Sequence, residues 1–260
     1  MPIALTIAGS DSGGGAGLQA DLKTFAALGV HGTSVITCIT AQNPTQVLGI
    51  QACTPRIVRQ QIEAVLAELP PAAVKTGMLF STSVVRIVAE ALRHRRGVPL
   101  IVDPVMVSTS GARLLKPSAV RALLAELLPL ADLVTPNLEE AGILVGVPLR
   151  SVEDLRLAAR TIQGRYGCAA LAKGGHLRDS GEAIDVFYDG ENELVLRAPF
   201  VKGLSTHGTG CTCSAAITGY LALGCSLLHA VQMAKKHVTQ AIAQSLVVAH
   251  HHTLNAFWED

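Results

Sequence analysis

The chain has 260 residues, of which 49% are hydrophobic and 16% are charged, and its net charge is +1. This composition supplies a large core, and we expect a single domain over residues 1–260. The balanced charge gives no reason to expect nucleic acid binding, and no apolar run reaches the roughly 18 residues of a membrane span. The N-terminus has neither a basic start nor a long apolar segment, so we expect no signal peptide and a cytoplasmic location. The scattered cysteines are predicted to be reduced thiols.

Predicted strands and helices alternate through most of the chain. The predicted strands are 3–8, 35–40, 47–53, 73–77, 100–104, 133–136, 169–173 and a hairpin of 183–188 with 193–198. The predicted helices are 16–28, 55–69, 81–95, 117–128, 151–165, one that starts near Cys211, and 227–248. This alternation predicts an α/β fold with a mostly parallel central sheet and helices on both faces. The three histidines at 250–252 are interpreted as a frayed tail and not as a metal site.

Polar and glycine-rich clusters follow the predicted strand ends. In parallel sheets, ligands bind beyond the carboxyl ends of the strands. The clusters are Gly9–Gly17, Gln42, Gly77–Met78, Asp103, Asn137–Glu140, Lys173–His176 and Gly208–Cys211. Their common position predicts one composite site.

The stretch from His207 to Cys211 runs directly into a predicted helix. Glycine at 208 and 210 lets backbone N–H groups face outward, and the first N–H groups of a helix lack internal partners and carry partial positive charge. A phosphate fits such a position. Cys211 would lie on the first turn, where the same field lowers the pKa of a thiol. The alternative is a glycine-rich turn with a buried cysteine.

Neither common nucleotide motif is present, because the chain has no G-x-x-x-x-G-K-[ST] and its early glycines do not match G-x-G-x-x-G. Phosphoryl transfer nevertheless needs mainly positioning and cancellation of negative charge. Lys173 could supply a cation, and Glu140 with Asn137 could hold magnesium directly or through water. The alternatives are a solvated Lys173 and a Glu140 that only complements the charge of a helix start.

Four further residues have two interpretations each. Asp103 is either a strand-end carboxylate near phosphates or part of an Asp-Pro turn. Asp21 faces either a ligand or water on the first helix. Gln42 can donate and accept hydrogen bonds, which suits the edge of an aminopyrimidine or pyridine, but loop glutamines are also commonly solvated. Met78 could flank a flat ring or fill the core.

Taken together, these segments resemble the hydroxymethylpyrimidine/phosphomethylpyrimidine kinases of thiamine biosynthesis, within the ribokinase-like superfamily. The resemblance follows the family's order over nearly the whole chain. The matching segments are Thr6–Thr24, Ala41–Asn43, Lys75–Met78, Val102–Val105, Thr135–Glu140, Lys173–His176 and His207–Thr212.

The resemblance implies a ribokinase-like fold, a homodimer, and the use of ATP and Mg²⁺. It implies phosphorylation of 4-amino-5-hydroxymethyl-2-methylpyrimidine and then of its monophosphate. The pyrimidine pocket would consist of Gln42, Gly9, Asp21, Met78 and Val105, and the anion hole of Gly208, Thr209 and Gly210. The nucleotide phosphates and the metal would be served by Lys173, Asn137, Glu140 and Asp103. Cys211 would occupy the position where many sugar kinases of the superfamily carry an aspartate as general base.

Two other functions stay open at this point. Pyridoxal and pyridoxine kinases share the fold and the anion hole that the resemblance implies. A nucleotide-binding regulator could keep the pocket without catalysis, although such a protein has no need of Lys173, Glu140 and Cys211 together.

Overall fold

The computed structural model describes residues 1–94, 97–107, 114–175, 177, 181–201 and 207–258. The strands are β1 Ile3–Asp11, β2 His31–Gln42, β3 Val47–Ala52, β4 Ala73–Thr76, β5 Leu100–Val102, β6 Leu133–Val134, β7 Ala169–Lys173, β8 Glu182–Tyr188, β9 Glu193–Pro199, β10 Leu246–Val248 and β11 His251–Thr253. The α-helices are α1 Gly17–Ala27, α2 Pro55–Glu68, α3 Thr82–Leu92, α4 Pro117–Ala122, α5 Leu138–Val145, α6 Val152–Tyr166, α7 Thr209–Ala222 and α8 Leu227–Ala243.

Within the described residues, β1 to β9 form one sheet in the order β3-β2-β1-β4-β5-β6-β7-β8-β9. The six strands from β2 to β7 in this order are parallel, while β3, β8 and β9 are each antiparallel to a neighbour. The short central strands are continuous runs of buried residues, as expected for a sheet that is covered on both faces. The structure therefore confirms the predicted mostly parallel sheet.

Helices cover both faces of this sheet. Alternate residues of a strand point to opposite faces, so Ile101 and Leu133 join a core cluster with α7 and α8, whereas Val102 and Val134 join the cluster with α3 and α6. Helix α1 packs against α7 on the first face. Among the described residues, no helix combines the length and the apolar character that crossing a membrane requires.

The predicted helix starts agree with local capping chemistry. The Thr54 hydroxyl accepts a hydrogen bond from the backbone N–H of Ile57, and Pro55 occupies the first helical position of α2. Ser151 and Asp154 form a capping box at the start of α6. The predicted end of α3 at Arg95 lies outside the described residues.

Three segments differ from the predictions. The predicted helix 117–128 is α-helical only to Ala122 and continues as a π-helical turn and a 3₁₀ turn, because Pro129 lacks the N–H group that a regular helix needs. The polar cluster Asn137–Glu140 is the start of α5, a helix that is absent from the predicted elements. The predicted last helix ends at Ala243, and the following residues form an exposed hairpin of β10 and β11 in place of the predicted helix end and frayed tail. The β-branched pair Val247 and Val248 favours that strand.

Candidate active site

A cavity of about 540 Å³ lies at the carboxyl ends of the parallel strands. Its walls include every predicted site residue, namely Gly9, Asp21, Gln42, Met78, Asp103, Val105, Asn137, Glu140, Lys173, Gly208, Thr209, Gly210 and Cys211. These residues come from eight separate strand ends or helix starts, as expected for a site at this edge of the sheet. His176, which ends the predicted cluster after β7, lies outside the described residues.

The glycine-rich loop after β1 is organised by the carboxylate of Asp11. This carboxylate accepts hydrogen bonds from the backbone N–H groups of Gly13, Gly15 and Ala16 at 2.8, 3.2 and 2.9 Å. His207 Nε2 lies 3.4 Å from the same carboxylate. Burial opposes ionisation of Asp11, but these bonds outweigh it and hold the pKa of Asp11 below its usual value. The loop is therefore fixed to the segment that starts α7.

Helix α7 begins at Gly208, which is its N-cap with a φ of 85°. A side chain would strain this left-handed conformation, and a Cβ atom would fall 1.9 Å from the carbonyl oxygen of Gly15. The Gly208 carbonyl accepts the N–H of Thr212, which is the first hydrogen bond within the helix. The backbone N–H groups of residues 209–211 come before this bond, and these residues line the cavity. This arrangement fits an anion, as the sequence predicts.

One ionic pair in the cavity wall joins Lys75 of β4 to Asp21 of α1, and we call it the inner pair. Both side chains are fully buried. The second oxygen of Asp21 accepts a 2.6 Å hydrogen bond from the Thr6 hydroxyl, and Lys75 Nζ lies 3.4 Å from the Cys211 carbonyl oxygen. Burial disfavours the ammonium, but the Asp21 charge outweighs it and holds the pKa of Lys75 above its usual value.

The inner pair corrects the sequence analysis in two ways. Of the two interpretations of Asp21, the one in which it faces water is wrong, because Asp21 is fully buried and lines the cavity. Lys75 was overlooked as a functional residue. The sequence does indicate its importance, because Lys75 lies within an apolar run that is typical of a buried central strand. An unpaired charge in such a strand would be energetically very costly.

Another ionic pair in the cavity wall, which we call the outer pair, joins Lys173 at the end of β7 to Asp103 after β5. Its atoms are 3.6 Å apart, and the Lys173 side chain is 14% exposed. The Ser214 hydroxyl lies 3.1 Å from Asp103 Oδ2. A Cβ atom on Gly210 would lie 3.3 Å from Lys173 Nζ, so this ammonium stands directly beside the first turn of α7. Burial disfavours the ammonium, but Asp103 outweighs burial and raises the pKa of Lys173.

Asn137 and Glu140 form a capping box at the start of α5. The Asn137 side chain accepts the Glu140 N–H at 3.0 Å, and Glu140 Oε2 accepts the Asn137 N–H at 3.0 Å. Glu140 Oε1 accepts the N–H of Met106 at 2.9 Å, which ties α5 to the segment after β5. Burial and the nearby charge of Asp103 raise the pKa of Glu140 to about 7. Both residues thus have a structural role, and their role toward a metal stays a prediction.

Cys211 lies on the first turn of α7, as predicted, but its predicted low pKa is wrong. Burial raises the pKa of its thiol to about 11. Lys75 and the Gly17 N–H favour the thiolate, while Asp21 and Asp103 oppose it. The helix start alone therefore does not provide a thiolate at neutral pH.

The opposite wall brings together the remaining predicted residues. Gly9 approaches Met78 so closely that a Cβ atom would fall 2.9 Å from the methionine methyl group. Val105 has a φ of 36°, a strained conformation for a β-branched residue of the kind that often occurs at ligand sites. Gln42 Nε2 lies 3.5 Å from His207 Nε2 at the end of β2.

An apolar part of the cavity was missed by the sequence analysis. It lies between the end of β9 and one face of α8 and contains Ala198, Pro199, Phe200, Val201, Val238 and Ile242. The ion pair of Lys235 and Asp185, with atoms 2.8 Å apart, borders this region. The signal in the sequence is the i, i+3, i+4, i+7 spacing of Lys235, Val238, Thr239 and Ile242 on one helix face.

Among the described residues, no group of three or more His, Cys, Asp or Glu side chains could hold a metal ion. Asp103 and Glu140 line the cavity as a pair of carboxylates beside Lys173. Two oxygen ligands of this kind fit Mg²⁺, which keeps several waters and is commonly completed by substrate phosphates.

Comparison with known proteins decides the family. The family model described as phosphomethylpyrimidine kinase matches residues 11–255. This chain belongs to the phosphomethylpyrimidine kinase family. A hydroxymethylpyrimidine/phosphomethylpyrimidine kinase of Rhizobium meliloti is 50% identical over 242 residues, which cover 93% of this chain and 90% of that protein.

Two solved structures share the fold. The phosphomethylpyrimidine kinase of Clostridium difficile is 43% identical with a TM-score of 0.83, covering 93% of this chain and 100% of its own. A pyridoxal kinase of Staphylococcus aureus in complex with AMP-PCP and pyridoxal is 35% identical with a TM-score of 0.90, covering 99% of this chain and 94% of its own. The ribokinase-like fold and the family resemblance are thereby confirmed.

Proposed function

We propose that this kinase transfers a phosphoryl group from ATP to the hydroxymethyl group of 4-amino-5-hydroxymethyl-2-methylpyrimidine, and then to the resulting monophosphate, in thiamine biosynthesis. The observation that carries the proposal is the position of Lys173 beside the first turn of α7, and of Cys211 within that turn, in one cavity of a phosphomethylpyrimidine kinase family member. A cation, a helix start that suits an anion and a thiol would thus be available to the reacting groups in one cavity.

The acceptor ring would lie between the ends of β1, β2 and β4. Gln42 would pair with the edge of the aminopyrimidine, because its amide can both donate and accept. Met78 would pack on the flat face of the ring, where a thioether interacts favourably with an aromatic edge. Gly9 and Val105 would close the pocket, and Asp21 would contribute to its wall while remaining bound to Lys75.

The nucleotide would occupy the other part of the cavity. The apolar surface of β9 and α8 suits a purine ring, and Lys173 with the N–H groups at Thr209 and Gly210 suits the phosphates. Asp103, and Glu140 with Asn137, would hold Mg²⁺ directly or through water. The ion would supply positive charge that offsets the negative charge of the transferring phosphoryl group.

In the first reaction the hydroxymethyl oxygen bonds to the γ-phosphorus, the bond between that phosphorus and the ADP oxygen breaks, and the hydroxyl proton must leave. The small thiolate fraction of Cys211, whose pKa is raised to about 11 by burial, would take this proton. In the second reaction the acceptor is a phosphate oxygen, which already carries the negative charge and needs no base. One cavity can therefore serve both reactions with different demands on Cys211.

Three further features belong to this proposal. The protein would act as a homodimer, as the resemblance implies, and it would be located in the cytoplasm. Pyridoxal is the second candidate acceptor, because a solved relative at a TM-score of 0.90 is a pyridoxal kinase in complex with pyridoxal.

The test measures ADP release with four acceptors: the pyrimidine alcohol, its monophosphate, pyridoxal and ribose. We expect the highest kcat/KM for the two pyrimidines and none above background for ribose. A preference for pyridoxal over both pyrimidines would replace the proposal with the second candidate. No ADP release with any acceptor would support the regulatory alternative.

A further inference from the structure

Lys75 is a buried cation at the cavity wall, and it takes no direct part in the proposed proton and phosphoryl transfers. Its ammonium has three donors, of which one bonds Asp21 and one points at the Cys211 carbonyl oxygen. No further partner of Lys75 is found among the described residues. Lys75 and Cys211 both line the cavity, and the 3.4 Å contact brings the cation next to the first turn of α7.

Fold stability does not explain the inner pair well. A fully buried ion pair is often no more stabilising than apolar residues of the same volume, because both charges lose their hydration. The neighbouring positions Ala73 and Val74 of β4 are buried and apolar, so an apolar residue at 75 would suit the same strand. The charge of Lys75 is therefore better explained by the first turn of α7, which it faces.

Lys75 faces the base proposed for the first reaction. The charged groups that act on the Cys211 thiol are Lys75, Asp21 and Asp103, and among them Lys75 alone favours the thiolate. Thr6 and Lys75 both bond Asp21, which anchors the carboxylate and leaves the ammonium directed toward α7. Ser214 lies 3.1 Å from the same Cys211 carbonyl oxygen, so this carbonyl is approached from two sides.

We propose that Lys75 is a positioning residue for Cys211: its ammonium, anchored by Asp21, fixes the first turn of α7 through the Cys211 carbonyl and supplies the positive charge that stabilises the thiolate. For its catalytic consequence this inference rests on the proposed function. The proton that Cys211 removes from the acceptor hydroxyl would then reside on the sulfur, and Lys75 would keep its own proton throughout.

The experiment measures the rate at which iodoacetamide alkylates Cys211 between pH 7 and pH 10. Fragment-ion sequencing by tandem mass spectrometry distinguishes Cys211 from Cys213 and Cys225, which lie in the same tryptic peptide. The thiolate is the reactive form, so in this range the rate reports the thiolate fraction and needs no turnover. We expect Lys75→Met to slow the alkylation of Cys211 about tenfold at a given pH, which corresponds to one pKa unit.

Asp21 is left unpaired in Lys75→Met, so the double variant Lys75→Met/Asp21→Asn keeps the test valid if the single variant does not fold. We expect about threefold slower alkylation there, since one favourable and one unfavourable charge are removed together. Lys235→Met is the matched control, because it removes an ammonium paired with Asp185 in the same cavity. It should leave the alkylation of Cys211 within twofold of the wild type.

A second readout links the inference to catalysis. Folded Lys75 variants should lose more kcat on the pyrimidine alcohol than on the monophosphate. A folded variant with wild-type alkylation of Cys211 would overturn the inference, whatever its turnover. If the wild type phosphorylated neither pyrimidine but the alkylation effect were present, the proposed function would fail and the positioning of Cys211 would stand.

Discussion

The inner and outer lysine–aspartate pairs are built from the same residue types but are arranged for different tasks. The inner pair of Lys75 and Asp21 is fully buried and close, whereas the outer pair of Lys173 and Asp103 has its atoms 3.6 Å apart and a partly exposed lysine. A close pair satisfies both charges internally and can position its neighbours. A looser pair at a cavity wall leaves donors and acceptors for phosphate and metal. We infer from this comparison that burial and spacing, more than residue type, decide which of the two lysines would meet the substrate.

The largest effect is expected when the cation of the outer pair is removed, which tests whether the two pairs have different roles. We expect Lys173→Met to lower kcat about 10²–10³-fold for both the alcohol and the monophosphate, because both reactions develop charge on the same transferring phosphoryl group. Steady-state kinetics with each acceptor measures the effect. Lys236→Met on the exposed face of α8 is the control for loss of a lysine and should stay within twofold of the wild type. A loss confined to one acceptor would show that Lys173 serves the acceptor and not the phosphate.

The second prediction concerns the acceptor pocket near the inner pair. Gln42→Ala should raise the KM for the pyrimidine roughly five- to a hundred-fold, since an unmet hydrogen bond in a site costs about 1–3 kcal/mol, while the KM for ATP stays nearly unchanged. Gln46→Ala, on an exposed residue of the same segment, provides the matched control. Equal changes in both KM values would place Gln42 outside the acceptor pocket.

The third prediction uses the raised pKa of Glu140 beside the outer pair. Between the usual pKa of about 4.5 and the folded value of about 7, the folded state binds a proton that the unfolded state does not. Wild-type stability should therefore fall relative to that of Glu140→Gln as the pH rises through this window, by about 1–3 kcal/mol in total.

Chemical denaturation at pH 5 and pH 8 measures this difference. Glu139→Gln, an exposed neighbour on the first turn of α5, is the control and should track the wild type at both pH values. Parallel curves for the wild type and Glu140→Gln would show that the buried carboxylate has an ordinary pKa.

Much of the fold was predictable because its signals are local. Apolar runs mark the central strands, and residues such as Thr54 and Ser151 start helices through their own side chains. The candidate site was predictable because parallel strand ends must meet at one edge of the sheet.

The remaining features depend on contacts between distant parts of the chain. Asp21 meets Lys75 only through the pairing of β1 with β4, which brings together residues 54 positions apart. The high pKa of Cys211 follows from burial, which a helix start alone does not reveal. The apolar surface of β9 and α8 is likewise assembled by tertiary packing. The short helix α5 is absent from the predicted elements, although the alternative in which Glu140 marks a helix start agrees with its capping box.

The most direct test of the central claim is a product time course by ³¹P NMR with ATP and the pyrimidine alcohol. We expect the monophosphate to appear first and then to decline as the diphosphate forms, with two ADP released per pyrimidine, and both steps to be lost together in Lys173→Met. A monophosphate that accumulates without conversion, or a Lys173→Met variant that loses one step and keeps the other, would contradict the claim that one cavity performs both phosphorylations.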